Sequence, residues 1–152
     1  MIHAYDKMFL PDVQQTLGNA FHFAINSCSV NTDSFFDFFL ASKVAKELES
    51  GSPIFICGCS GTELALTIFD RIGYIPKKME FDDKSIMYKR SQEYWAGWIL
   101  AYYQWVSGIR FSKIREKISL SQIVQMYHPL HEAPEEKFAQ IVDDIIREKN
   151  RE

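Results

Sequence analysis

One serine of this sequence stands in a setting that exposes nucleophiles in hydrolases. Ser60 lies within GCSG (58–61), between the short apolar run PIFIC (53–57) and a segment with helical periodicity. A serine on a sharp turn between a strand and a helix is how many hydrolases present their nucleophile, and glycines at a helix N-terminus can also hold an anion. The G-x-S-x-G pattern is broken here, because Thr62 occupies the place of the final glycine.

A helix cap accounts for Ser60 without any catalytic chemistry. Glu63 follows three residues later, which is the spacing of a capping box. An apolar stripe at helical spacing comes next: Leu64, Ala65, Ile68, Phe69 and Ile72. We therefore predict that Ser60 begins a helix, and the nucleophilic serine is kept as the alternative.

Two histidines and a glutamate form a second group that could do chemistry. His128, His131 and Glu132 lie within MYHPLHEAPEE (126–136), and imidazole and carboxylate groups can bind metal or transfer protons. Pro129 interrupts the helix that would place the two rings on one face. We predict a turn between helices in which a histidine satisfies a backbone carbonyl; the alternative is a small enzyme or ligand-binding protein that uses Ser60 with His128 or His131 at an aromatic-lined pocket.

The cysteines do not form a metal-binding pattern. Cys57 and Cys59 are separated by one residue, whereas zinc thiolates are usually separated by two or more, and Cys28 is distant. We predict buried, apolar cysteines and neither a metal nor a cofactor. Three cysteines are an odd number without a framework spacing, which favours a reducing cytoplasm.

Composition and charge narrow the class of protein. With 152 residues, 47% of them hydrophobic and 24% charged, the chain suits one globular domain, 1–152. A net charge of −3 argues against a nucleic-acid-binding protein. The uncharged run 94–109 is shorter than the ~20 apolar residues of a membrane span, and MIHAYDKMFLP lacks the basic and apolar blocks of a secretion signal. We expect a cytoplasmic protein that binds neither nucleic acid nor membrane.

An aromatic-rich segment must form the centre of the fold. Residues 94–105 contain six aromatic rings, and Gln104 is the only strongly polar side chain from 94 to 106. A helix that is apolar on every side, and too short for a bilayer, belongs in a soluble core. We place this helix at about 91–107 and expect Gly97 and Ala101 to let a neighbouring helix approach closely.

The remaining segments predict a mainly helical protein. Helical periodicity and capping residues indicate helices at about 11–27, 31–50, 60–72, 111–117, 120–127 and 134–149, besides the aromatic one. PIFIC (53–57) resembles a strand, but one strand cannot form a sheet. Residues 74–90 look like a long surface connection. The predicted fold is therefore all-α, a single compact domain of five to seven helices.

Three segments together resemble a family of small, largely uncharacterised proteins from Firmicutes, especially gut clostridia. They are LGNAFHFAINSC (17–28), SQEYWAGWILAYYQWVSG (91–108) and IVQMYHPLHEA (123–133), and the similarity runs from about Tyr5 to Val142. Genes of this family often lie beside small toxin–antitoxin-like genes, some of which encode proteins similar to ADP-ribosyltransferases. The resemblance thus implies a protein partner. The family has no established catalytic motif, so the resemblance assigns no residue a role.

These observations favour a non-catalytic, cytoplasmic protein-binding module. We expect an antitoxin, immunity or accessory partner of a neighbouring toxin-like protein, because surplus Tyr and Trp residues suit an interface. A self-associating scaffold is a further alternative. The predicted contact surface is formed by the exposed parts of Tyr88, Arg90, Tyr94, Trp95, Tyr127, His128 and His131.

Overall fold

The structure is a computed structural model that describes residues 2–81 and 91–151. The described residues form ten α-helices: α1 (Leu10–His22), α2 (Thr32–Ala41), α3 (Val44–Glu49), α4 (Pro53–Ile56), α5 (Gly61–Ile72), α6 (Gln92–Ser107), α7 (Phe111–Lys117), α8 (Leu120–Gln125), α9 (Tyr127–Leu130) and α10 (Glu135–Asn150). A 3₁₀ turn (Lys7–Phe9) precedes α1, and a π-helical turn (Phe23–Ser27) follows it. The predicted all-α class is confirmed.

Helix α6 lies at the centre, as its composition predicts. It begins at the N-cap Ser91, whose hydroxyl accepts a hydrogen bond from the backbone N–H of Tyr94, and it ends at Gly108 in the left-handed conformation. Eleven of its residues are buried, and they occupy every side of the helix. Burial on all sides explains why the segment lacks the polar face that a surface helix would carry.

Helices α1 and α6 form the closest pair and run antiparallel. Near one end of the pair, the Gln14 side chain reaches the backbone carbonyl of Trp98; at the other, the His22 ring contacts the Ser91 hydroxyl. Between them, Gly97 lies directly against the backbone of Leu17. The predicted close approach on the small-residue side of α6 is therefore confirmed at Gly97.

Phenylalanine rings join the surrounding helices to this pair. Phe21 on α1 makes edge-to-face contacts with Phe35 and Phe39 on α2, with ring centroids 5.2 and 5.8 Å apart. Phe39 in turn meets Phe111 of α7 edge-on at 5.0 Å. Such contacts add about 0.5–1.5 kcal/mol per pair beyond the burial of the rings. One continuous hydrophobic core results.

The prediction of a single helix over 31–50 was wrong, because two helices cover this range. Lys43 adopts a left-handed conformation (φ 68°) between α2 and α3. The Ser42 hydroxyl donates to the carbonyl of Phe39 and accepts from the N–H of Val44. It therefore provides hydrogen-bond partners for two backbone groups next to the break between the helices. The break turns Val44, Ala45 and Leu48 towards the core.

The strand-like run PIFIC is a single helical turn. Pro53 occupies the first helical position, where its missing N–H removes no hydrogen bond. Phe55 and Ile56 are buried, whereas Ile54 is exposed. A run of four apolar residues fits a short buried strand and a buried helical turn equally well, which is why the sequence pattern misleads here.

The predicted connection 74–90 is described only as far as Phe81. Residues 74–81 form no helix, and they cross the π-helical turn after α1. The N–H of Glu80 donates to the carbonyl of Ser27, and the Phe81 ring packs on Phe23 at 5.5 Å. The remainder, 82–90, lies outside the described residues. No helix within the described ranges has the length and apolar character that crossing a bilayer requires.

Candidate functional site

Ser60 is a helix cap, as the spacing to Glu63 predicts. Its hydroxyl accepts a hydrogen bond from the N–H of Glu63 (3.1 Å), and its own N–H donates to Oε1 of Glu63 (3.2 Å). A side chain at Gly61 would stand 2.7 Å from the carbonyl oxygen of Thr16, so this glycine lets the start of α5 touch α1. Capping and close packing thus explain the serine and the last glycine of GCSG.

A small cavity next to Ser60 contains neither of the candidate histidines. It measures about 260 Å³, and its lining includes Cys59, Glu63 and Arg71. Arg71 is held there by Glu47 (3.0 Å) and by the carbonyl of Ser42 (3.2 Å). Within the part of the chain that the structure describes, no hydrogen bond or ring contact joins Ser60 to His128 or His131. The Ser60–histidine pairing gains no support from this geometry.

The two histidines belong to an ordered group that we call the imidazole face: Gln92, Tyr127, His128 and His131. The His131 ring stacks on the Tyr127 ring, with centroids 4.2 Å apart and planes 13° from parallel. Nδ1 of His131 donates a hydrogen bond to the carbonyl oxygen of Tyr127 (2.7 Å), so the predicted histidine-to-carbonyl bond is confirmed. The predicted turn is instead the short helix α9, which accommodates Pro129 because this residue lies in the first helical turn, where its missing N–H leaves no bond unmade.

Buried rings support the imidazole face from below. The amide N–H of Gln92 donates to Nε2 of His128 (3.1 Å), which ties α9 to the first turn of α6. Trp95 meets the Tyr127 ring edge-on at 5.9 Å and the Phe138 ring at 5.8 Å. The exposed imidazoles therefore stand on an aromatic layer that belongs to the core.

The predicted contact residues divide into three sets. His128 and His131 are exposed, and Tyr127 is half-buried. Tyr94 and Trp95 are each only 7% exposed, so they contribute little surface of their own, because α1, α9 and α10 cover the side of α6 on which they lie. Tyr88 and Arg90 lie outside the described residues.

At the opposite end of α6 lies a larger cavity that the sequence did not reveal. It measures about 650 Å³. We call it the basic cavity; the polar residues of its lining used below are Lys43, Lys46, Glu49, Gln104 and Arg110. Lys43 and Lys46 belong to the start of α3, whereas Arg110 precedes α7, more than sixty residues later, so no sequence pattern indicated that the three cations meet. The lone polar residue of the aromatic helix, Gln104, was the one available indication.

The N-terminal segment, residues 2–6, lies over the end of α6 beside the basic cavity. The His3 ring stacks on the Trp105 ring at 3.8 Å, and its Nδ1 donates to the Trp105 carbonyl (2.8 Å). The Trp105 indole N–H donates to the carbonyl of Tyr5 (2.9 Å). A side chain at Gly51 would stand 2.6 Å from the Ala4 carbonyl, so the segment also passes close to the turn after α3. These contacts fix one wall of the cavity.

Glu49 is the carboxylate of the basic cavity, and its charge is already engaged. Oε1 of Glu49 accepts a hydrogen bond from the backbone N–H of Phe111 (2.7 Å). Burial raises the pKa of Glu49, and the Phe111 N–H and the nearby charges of Arg110 and Lys46 offset part of that rise. By contrast, Lys43, Lys46 and Arg110 form no ion pair within residues 2–81 and 91–151.

The cysteines lie in three different surroundings and are unpaired. Cys28 is buried, Cys59 is half-buried and Cys57 is exposed. The prediction of uniform burial is wrong for Cys57, because the helical turn α4 directs Phe55 and Ile56 inward instead. Burial raises the pKa of the Cys28 thiol to about 11, which makes this thiol a poor nucleophile. Among the described residues, no group of three or more His, Cys, Asp or Glu side chains is placed to hold a metal ion.

Comparison with known proteins gives this chain no family. No family model, curated protein or solved structure matches it.

Proposed function

We propose that this protein is a non-catalytic binding module whose partner is the toxin-like product of a neighbouring gene, and that the imidazole face contacts that partner. The observation that carries the proposal is the stacked Tyr127–His131 pair, held at the surface by Trp95 and by the backbone bond of His131. The resemblance to the clostridial family supplies the kind of partner. An antitoxin, immunity or accessory role follows from that kind of partner.

The geometry of the imidazole face suits binding for an energetic reason. Association costs conformational entropy for each side chain that it immobilises, about 0.5–1.5 kcal/mol for a rotamer-rich one. Tyr127, His128 and His131 already have ring contacts or hydrogen bonds that restrict them in the free chain. A partner therefore meets a preformed surface of rings, the kind of side chain that dominates binding energy at interfaces.

The capping role of Ser60 favours binding over catalysis. Its hydroxyl accepts from the helix backbone and lies beside a cavity without a histidine among its described lining. We also infer that the module works in the cytoplasm, since its three cysteines are unpaired thiols, and disulfides are rare in that compartment.

Co-expression with the adjacent gene product tests this function. We expect the full-length chain and that product to elute together from size exclusion as one complex. In the double variant His128→Glu/His131→Glu, two carboxylates would have to be buried against the partner, and we expect the Kd to rise at least about tenfold. The matched control is Gln140→Glu/Asn150→Asp, which adds two carboxylates at exposed positions of α10 and should bind as the parent does.

Two results would count against the proposal. Separate elution of the two proteins at micromolar concentration would show that the neighbouring gene product is not the partner. A complex that the histidine variant and the control form equally well would move the contact surface away from the imidazole face.

A further inference from the structure

The basic cavity is separate from the imidazole face and has a different chemistry. Gln104 and Gln92 lie twelve residues apart on α6, which places the two sites about 18 Å apart along the helix. The imidazole face is a surface group of rings, whereas the basic cavity is a concavity of about 650 Å³. Sites for small molecules in proteins typically measure about 300–1,000 Å³. The cavity thus has the size of a small-molecule site and exceeds what a single ion needs.

The lining of the cavity is positively charged, whereas the protein as a whole is negatively charged. Lys43, Lys46 and Arg110 face a single carboxylate, that of Glu49, so the lining has a formal excess of two positive charges. The whole chain has a net charge of −3. Glu49 is held by the Phe111 N–H, whereas the three cations have no carboxylate within ion-pair distance among the described residues. Glu49 offsets one of the three positive charges, and a bound anion would offset the other two.

Gln104 gives a second, independent indication of a ligand. It is only 6% exposed and lines the cavity, yet no hydrogen bond joins its side-chain amide to another group in the described part of the chain. Since no side-chain nitrogen or oxygen of the described residues is buried without a partner, the Gln104 amide reaches the solvent in the cavity. A hydrophobic residue of the same size would match the rest of α6. The one strongly polar side chain of residues 94–106 therefore presents an unbonded amide to the cavity.

We propose that the basic cavity binds a small molecule that has a phosphate group, with Lys43, Lys46 and Arg110 holding the phosphate and Gln104 contacting the remainder of the molecule. A phosphate monoester has a charge of about −1.5 to −2 at pH 7, which matches the excess of two. Arginine presents a planar fork that fits phosphate oxygens, and lysine binds phosphate as a point charge. Three cations gathered in a concavity suit one phosphate group better than the extended backbone of a nucleic acid.

Calorimetric titration of the full-length protein tests the proposal. The probes are glycerol 3-phosphate, inorganic phosphate and uncharged glycerol, in a low-salt buffer free of phosphate and sulfate. We expect saturable, one-to-one binding of the ester, weaker binding of inorganic phosphate and none of glycerol. The ester's advantage over inorganic phosphate separates a phosphorylated metabolite from the free ion as the ligand.

Variants locate the binding. Lys46→Gln and Arg110→Gln should each raise the Kd of the ester about tenfold, because each removes a charged hydrogen-bond donor. Lys137→Gln is the matched control, since Lys137 is an exposed lysine on α10, and its Kd should stay at the parent value. Gln104→Met should raise the Kd of the ester but not the Kd of inorganic phosphate. The Tm of the free protein should be unchanged or raised. That combination is not expected of a residue with a purely structural role.

Three outcomes would overturn this assignment. If neither phosphate probe binds saturably, the cavity is not a phosphate-binding site. Equal loss of affinity in Lys46→Gln and Lys137→Gln would show that binding depends on overall charge and not on the cavity. A Gln104→Met protein with a lowered Tm and unchanged ester affinity would make Gln104 a structural residue and would refute its contact with the ligand.

Discussion

The backbone carbonyl of Leu17 occupies the space that a side chain at position 97 would need. A Cβ atom on Gly97 would stand 2.6 Å from that oxygen and 2.9 Å from the carbon to which it is bonded. Both obstructing atoms belong to the backbone of α1, so no side-chain rotation can remove the clash. The central pair of helices therefore depends on the absence of one methyl group.

Replacing Gly97 with alanine should destabilise the protein although alanine favours helices. The gain in helix propensity is about 1 kcal/mol, while forcing α1 and α6 apart should cost more, for a net loss of about 2 kcal/mol in the free energy of unfolding. Urea denaturation followed by circular dichroism measures the loss. Gly73→Ala is the control, since nothing lies within 4 Å of that position; its left-handed conformation limits the cost to about 1 kcal/mol. A Gly97→Ala protein as stable as the parent would contradict the described packing.

Removing the Ser60 hydroxyl should affect stability alone. Ser60→Ala removes the cap of α5 and should lower the free energy of unfolding by about 1 kcal/mol. Ser119→Ala should cause a similar loss, because Ser119 and Gln122 form the same kind of capping box at α8. The measurement is thermal unfolding of both variants, together with partner binding. Loss of partner binding or of any turnover in Ser60→Ala, but not in Ser119→Ala, would restore a chemical role for Ser60.

The contribution of the Asp33 carboxylate to the free energy of unfolding should depend on pH in the acid range. Its two oxygens accept from the N–H (3.0 Å) and the hydroxyl (2.6 Å) of Ser121, which ties α2 to α8. Burial acts to raise the pKa of Asp33, but the bonds from Ser121 and the charge of Arg115 outweigh it, so the pKa is lowered. A carboxyl group with a lowered pKa stabilises the fold above its unfolded pKa of about 3.9, and this contribution disappears as the pH falls through the folded value.

Asp33→Asn should accordingly cost about 1.5 kcal/mol at pH 7. The difference between parent and variant should shrink as the pH falls below about 4. Urea denaturation over a pH series measures it. Asp70→Asn, at an exposed position of α5, is the control and should follow the parent throughout. A gap between parent and Asp33→Asn that persists unchanged in acid would rule out the carboxylate as its source.

The hydroxyl of Tyr103 should contribute measurably to the docking of α10. It donates a 2.6 Å hydrogen bond to Oδ1 of Asp143, and burial, followed by that carboxylate, raises the pKa of Tyr103. Tyr103→Phe should cost about 1 kcal/mol, since Asp143 can be solvated again once the bond is lost. Tyr102→Phe is a matched control from the same helix, whose hydroxyl makes no hydrogen bond to another described group. Equal thermal stability of the two variants would disprove a stabilising role for the Tyr103–Asp143 bond.

Local features of the sequence were enough to identify most helices. The capping boxes at Ser60 and Ser119, the left-handed glycines at 73 and 108 and the apolar stripe of α10 all act within a few residues, so they can be read without the fold. The errors fall where local preference is weak. The sequence of residues 53–56 is compatible with either a strand or a helical turn. No glycine or proline near Lys43 indicates its left-handed conformation, which breaks the helix and directs Leu48 into the core.

The sequence by itself determined the all-α class and the burial of the aromatic helix, because periodicity and uncharged length are properties of consecutive residues. It also predicted the hydrogen bond from a histidine to a backbone carbonyl near Pro129. Only the tertiary structure brought Lys43, Lys46 and Arg110 around Gln104, and only packing against α1, α9 and α10 covered Tyr94 and Trp95. Cavities and exposed faces depend on contacts between residues far apart in the chain. The spacing of residues along the sequence does not predict those contacts.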